Sequence, residues 1–135
     1  WQMLASKNEN NLSYKQSLDF IVNEKGIKTV VLGFDNSSRR YSENDLSWIW
    51  DIDFEELNNK TIDKIVLVGR FKYDMLTRIS YTGIPKSKII LIEDLDSELI
   101  PTLRKKTKGS IYSCVCFDKE IELKAILKKE GISNE

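Results

Sequence analysis

Four short apolar runs interrupt an otherwise polar chain: residues 28–34 (KTVVLGF), 64–68 (KIVLV), 88–92 (KIILI) and 111–117 (IYSCVCF). Runs this short and this apolar are the pattern of strands covered on both faces, as in a parallel sheet. Between them the apolar residues return every three to four positions. Ser13 is placed to cap a helix over 14–24, with Leu18, Ile21 and Val22 on one face and Gly26 as its stop. Helices over 73–81, ended by Gly83, over 97–105, and over 119–130, closed by Gly131, complete the alternation. Strands alternating with helices predict βαβ units. The expected fold is α/β and Rossmann-like, an open, mostly parallel sheet with helices on both faces, with four strands evident and room for one or two short ones. Residues 1–12 are polar and Asn-rich without a sustained period, which reads as a linker or incoming loop ahead of a single domain over 13–135.

In such sheets ligands sit outside the carboxyl ends of the strands. This singles out the loops 35–45, 69–74 and 93–96, and Asp118. None carries a phosphate cradle: GIKT at 26–29 lacks the glycine spacing and Gly-Lys pair of a P-loop, and the GRFKYD that starts at Gly69 is not G-x-G-x-x-G. Arg70 and Lys72 nevertheless put cations on a strand's carboxyl end, where they could meet phosphate or carboxylate, or simply water. Asp74 beside them could cap its helix or join the site.

The most unusual stretch is NDLSWIWDIDFEEL at 44–57. Asp45 stands where a helix cap would be, with Trp48 in the first turn and Ile49 and Ile52 on an apolar stripe. It is therefore either a cap or a functional carboxylate. Trp48 and Trp50 need large apolar partners, as core or interface anchors or as stacking surfaces for a ligand. Asp51, Asp53, Glu55 and Glu56 read as solvated acids.

Composition narrows the chemistry. Lys plus Arg and Asp plus Glu are both 21, so the chain lacks the basic field of a nucleic-acid binder. Its one basic run, RKKTK at 104–108, suits a helix C-terminus. With no histidine, the common zinc sites, imidazole bases and His-dependent triads are excluded from this chain alone, and no metal site is expected. Cys114 and Cys116, two apart on one strand, read as buried free thiols of a reducing compartment. No apolar run reaches membrane-spanning length and no signal-peptide pattern opens the chain, so a cytoplasmic protein is expected. Because the chain begins at Trp1, it is expected to be part of something longer.

Residues 45–55, read as D-L-S-W-I-W-D-I-D-F-E, resemble the D-x-S-W-I-W-D-x-D-F-E signature of the C-terminal domain family of MurT, the Mur-ligase-like subunit of lipid II isoglutaminyl synthase. Further pieces follow the family's order. Lys7-Asn8 resembles its K-N-P segment, Asn36 ends a strand as in its N-x-N or N-D-N turn, and Gly69, Tyr73-Asp74-Met75, Arg78, Tyr81 and Gly83 resemble G-x-R-x-x-D-M-A-x-R-L-K-Y-A-G. Residues 121–131 resemble its final helix. The chain departs from the pattern in SSRRYSEND before Asp45, after Lys7-Asn8, and at Phe71, where the family has arginine.

The resemblance implies a fold of the Mur ligase C-terminal-domain type and an ATP-dependent ligase subunit. That subunit would activate the α-carboxyl of D-glutamate in the lipid II stem peptide, as an acyl phosphate, for attack by ammonia from a GatD-like glutaminase, giving D-isoglutamine. It further implies that ATP and Mg²⁺ are held mainly by Mur ligase domains upstream of Trp1. On this chain Asp45 would serve the amidation step by orienting or deprotonating ammonium. Lys7, Asn8, Asn36, Arg70 and Lys72 would contact the nucleotide, and Trp48, Trp50, Asp51 and Asp74 would anchor substrate or structure. The place of action would be the inner membrane surface. The rival expectation is a non-catalytic Rossmann-like module whose acidic, aromatic segment docks a partner.

Overall fold

In a computed structural model of the protein, which describes residues 2–6, 11–33 and 50–131, the apolar runs become parallel strands. They are β1 (Gln2–Ser6), β2 (Lys28–Gly33), β3 (Ile62–Val68), β4 (Ile89–Leu91) and β5 (Ser110–Cys116), paired in the order β1-β5-β2-β3-β4. Every pairing is parallel. The helices between and after them are α1 (Asn11–Asn23), α2 (Lys72–Ile79), α3 (Leu95–Lys106) and α4 (Phe117–Lys129), with short 3₁₀ turns at Phe54–Leu57 and Lys86–Lys88.

Handedness distributes the helices. The crossovers carrying α1 and α2 step in one direction along the sheet, whereas the one carrying α3 steps back, so right-handed connections must place α3 on the opposite face. The side chains obey this. Tyr14, Leu18 and Ile21 of α1 and Met75 and Ile79 of α2 pack with Val30, Leu32, Ile65, Leu67, Tyr112 and Cys114 in one core. Leu99, Ile100 and Leu103 of α3 and Leu123, Ile126 and Leu127 of α4 pack with Val31, Val66, Val68 and Val115 in the other. Alternate residues of each strand thus feed opposite cores, which is why the runs are apolar without a break. Burying each such aliphatic side chain stabilises by about 1.5–3 kcal/mol.

The edge strand corrects the reading of residues 1–12 as a linker without structure. Gln2–Ser6 pairs residue by residue with Tyr112–Cys116 of β5. A five-residue edge strand whose sequence, QMLAS, has no sustained apolar run carries too little periodicity to be seen locally. It is one of the extra short strands that the pattern left room for.

Three devices secure the amino-terminal edge of the sheet. Lys28, fully buried at the start of β2, sends its ammonium back onto the last carbonyls of α1, donating to Ile21 O at 2.9 Å, Val22 O at 3.2 Å and Glu24 O. It caps orphan carbonyls with a charge. Burial pulls its pKa below the usual lysine value, while Glu24 pulls the other way. Gly109 enters β5 with φ +80°, and a Cβ there would lie 2.0 Å from the Ile27 carbonyl oxygen, which accepts the Ser110 N–H. A β-bulge between Lys28 and Thr29 leaves Asp63 of β3 unmatched, and its carboxylate accepts the Lys108 N–H at 3.1 Å.

Candidate functional site

The strand order locates the crevice. β2 and β5 are neighbours, but Ile52, Phe54 and Leu57, in the described part of the connection from β2 to β3, pack on the α1 and α2 face, whereas α4, which follows β5, packs on the other face with α3. The opening between such diverging connections is where ligands of open α/β sheets bind. Lys7, Asn8, Asn36, Asp45 and Trp48 lie outside the described residues. The described part of this edge is built by the turns after β3 and β4.

Gly69, at φ +92°, turns the chain sharply out of β3. Phe71 falls into the core beneath, and Arg70 stays exposed with its guanidinium 5.3 Å from the Phe71 ring centre. Lys72 opens α2 with its ammonium 3.5 Å from Glu93 Oε2 and 5.2 Å from the Tyr73 ring centre. The Tyr73 hydroxyl donates to Glu93 Oε1. That bond, helped by Lys72, holds the Glu93 carboxyl below its ordinary range, and the same bond pushes the Tyr73 hydroxyl up. Asp94 caps α3, accepting from Asp96 N at 3.2 Å and Ser97 Oγ at 2.7 Å. The two turns are therefore latched to each other through Glu93. Arg70 and Lys72 both lie in the turn from β3 into α2, and Glu93 compensates the charge of Lys72.

Asp74 is not the cap of α2. The cap position is Phe71, which makes no side-chain cap bond, and Asp74 sits within the first turn. There its negative charge suits the helix dipole.

The acidic, aromatic stretch resolves into a clamp on α2. From residue 50 onward it runs as 3₁₀ turns rather than as the expected continuing helix, because Ile52, Phe54 and Leu57 all turn into the core. Arg78, near the end of α2, is buried among them. One guanidinium nitrogen reaches Glu55 Oε1 at 3.0 Å; the other donates to Glu55 Oε2 at 3.2 Å and to the Ile52 carbonyl at 2.6 Å. The guanidinium also lies 5.5 Å from the ring centres of both Trp50 and Phe54. Trp50, expected as a core or interface anchor or as a stacking surface, is not in the core: it is 49% exposed and meets Tyr81 edge-to-face at 5.4 Å.

Two adjacent glutamates consequently behave in opposite ways. The Arg78 fork holds Glu55 down at about 2. Burial, together with the carboxylate of Asp19 in α1, pushes Glu56 up to about 7, although Lys15 lies 3.9 Å away. Asp53 is raised, chiefly by its hydrogen bond to Glu55. The expectation of solvated acids holds for the exposed Asp51, Asp53 and Glu55, although Glu55 is engaged by Arg78, and fails at the half-buried Glu56. Sequence reasoning also missed Arg78, Glu55, Glu93 and Lys28. For Arg78 a signal existed, since a cation three residues after Met75 lies on the apolar stripe of its helix and must find a buried partner.

Among the described residues no group of three His, Cys, Asp or Glu side chains could hold a metal ion, and no helix is long and apolar enough to cross a membrane. Cys114 is a buried free thiol pushed up to about 12 by burial, too weakly ionised for nucleophilic work. The Cys116 side chain lies outside the described ones.

Comparison with known proteins adds identity to this geometry. A family model described as MurT ligase C-terminal matches residues 7–117. The chain is similar to the lipid II isoglutaminyl synthase (glutamine-hydrolyzing) subunit MurT of Streptococcus pneumoniae (strain ATCC BAA-255 / R6), with 27% identity over 88 residues, 65% of this chain and 20% of that protein. The match thus spans about a fifth of the relative's length.

Proposed function

The chain belongs to the MurT ligase C-terminal family, and on that premise we propose that it is the C-terminal domain of an ATP-dependent amide ligase subunit. The subunit amidates the D-glutamate of lipid II to D-isoglutamine with glutamine-derived ammonia, in the cytoplasm at the inner membrane surface. The observation that carries this reading is the family match along 7–117, joined to the name of the pneumococcal relative.

ATP with Mg²⁺ supplies the activation of the substrate carboxyl and is held mainly by upstream Mur ligase domains. The described residues fit that division. They carry neither the P-loop nor the G-x-G-x-x-G pattern of a phosphate cradle, so this domain contributes single contacts, with Arg70 and Lys72 at the carboxyl edge of β3 as candidates. Lys7, Asn8 and Asn36 belong to the same proposed nucleotide surface. Asp45 is the proposed catalytic carboxylate, positioning ammonium delivered by a GatD-like glutaminase subunit.

The second reading is a non-catalytic interaction module, and the exposed Trp50 and Tyr81 pair favours it. One experiment separates the two. The full-length subunit, reconstituted with its glutaminase, is given lipid II, glutamine and ATP, and products are followed by mass spectrometry. Amidation by wild type, lost in an Asp45→Asn variant that still folds and binds its partner, is the expected result. A folded wild-type complex that makes no amide would overturn the ligase reading.

A further inference from the structure

Trp50 and Tyr81 form an aromatic pair on the surface, 49% and 72% exposed, with ring centres 5.4 Å apart at an interplanar angle of 63°. Its underside is rigid, because the Arg78 guanidinium below Trp50 is fixed by Glu55 and the Ile52 carbonyl. Around it the charge is one-sided. Residues 50–57 carry Asp51, Asp53, Glu55 and Glu56 and no cation. Among the described residues, the charged side chains paired with this segment or with each other beside it are Asp19, Lys15 and Arg78. Arg78 is engaged by Glu55, and Lys15 lies 3.6 Å from Asp19 and 3.9 Å from Glu56. Among the described residues, five carboxylates of this cluster thus meet two cations, in a chain whose overall charge is zero. The upward shifts of Asp53 and Glu56 report the same crowding.

We propose that Trp50 and Tyr81, flanked by Asp51 and Asp53, form a docking ledge for a basic segment of a partner polypeptide, whose Lys or Arg side chain lies on the aromatic pair. The chemistry is complementary at each point. Ring faces attract a cation, the acids add charge-assisted hydrogen bonds, and excess negative potential guides a basic segment inward. Trp and Tyr are also the residues that concentrate binding energy at interfaces. Because the clamp already orders Trp50, little freedom remains to be lost on docking. The inference goes beyond the ligase reading and does not depend on it.

The test uses the full-length protein and a dye-labelled hexapeptide of arginine and lysine, with a glutamine hexapeptide as its neutral counterpart, followed by fluorescence anisotropy. The basic peptide should bind in a salt-dependent way. Its Kd should weaken about tenfold in Tyr81→Ala and in Trp50→Ala, as loss of an interface anchor does. Asp51→Asn should weaken it too, whereas Asp96→Asn on α3, across the sheet, should leave it unchanged. Tyr81 is exposed enough that its replacement leaves the fold intact and keeps the test decisive. Absence of binding, or binding indifferent to Tyr81→Ala, would overturn the proposal. Equal binding of the glutamine peptide would make the ledge an apolar dock, and self-association of the protein abolished by Tyr81→Ala would assign it to a second copy; either result rejects a basic occupant.

Discussion

Replacing Arg78 with methionine tests whether the clamp holds the 50–57 turn to α2. Methionine keeps an unbranched, apolar side chain but removes the donors. Glu55 held at about 2 rather than 4.5 corresponds to at most about 3 kcal/mol. Its side chain is 47% exposed, so screening reduces this to roughly 1–2 kcal/mol. Loss of the donor to the buried Ile52 carbonyl adds about 1–3 kcal/mol. The sum, roughly 2–5 kcal/mol, should lower Tm by about 7–18 °C in a domain of this size.

The sign of the pH dependence is equally definite. A carboxyl whose folded pKa is depressed stabilises the fold above its unfolded pKa, near 4.5, and that contribution is lost as pH falls toward about 2. The gap between wild type and Arg78→Met should therefore be widest near neutrality and shrink below pH 4. Urea unfolding followed by circular dichroism at pH 7 and pH 3 measures both quantities. A double-mutant cycle with Glu55→Gln should return a coupling of about 1–2 kcal/mol. Arg78→Lys should recover only part of the loss, since an ammonium cannot reproduce the planar fork. An Arg78→Met variant within about 0.5 kcal/mol of wild type, the usual effect of a neutral surface change, would refute the clamp.

Two further outcomes follow from the same packing. Gly109→Ala should destabilise by roughly 3 kcal/mol or more, combining left-handed strain with a clash, because its Cβ meets the Ile27 carbonyl at 2.0 Å; unchanged urea midpoints would show that this turn relaxes freely. Glu56, raised to about 7, contributes with the opposite sign to Glu55, since the fold is most stable below its unfolded pKa near 4.5 and weakens as pH rises through 7. Glu56→Gln should thus gain roughly 1–2 kcal/mol over wild type at pH 8 and almost nothing at pH 4, and a pH-independent difference would contradict the proposed crowding with Asp19.

The local pattern was enough to reveal α1, the four apolar strands, the helices between them and the parallel α/β class. Apolar period and the turn glycines Gly26, Gly83 and Gly131 are properties of short windows, and secondary structure obeys short windows. The resemblance carried by residues 45–55 and 69–83 also indicated the family, which the match along 7–117 bears out.

What local pattern could not supply was everything decided by pairing at a distance. QMLAS becomes a strand only because β5 offers it an edge. Lys28, which opens an apolar run, is buried because α1 ends with carbonyls within its reach. The acids of 50–57 look interchangeable in sequence, yet Glu55 and Glu56 separate to about 2 and about 7, because Arg78, 23 positions away from Glu55, holds the one down, while burial and then Asp19 raise the other. A side chain's charge state depends on its surroundings rather than on its neighbours in the chain. In this protein those surroundings exist only once β2 and β3 have paired and the 50–57 turn has settled against both α1 and α2 on the same face of the sheet.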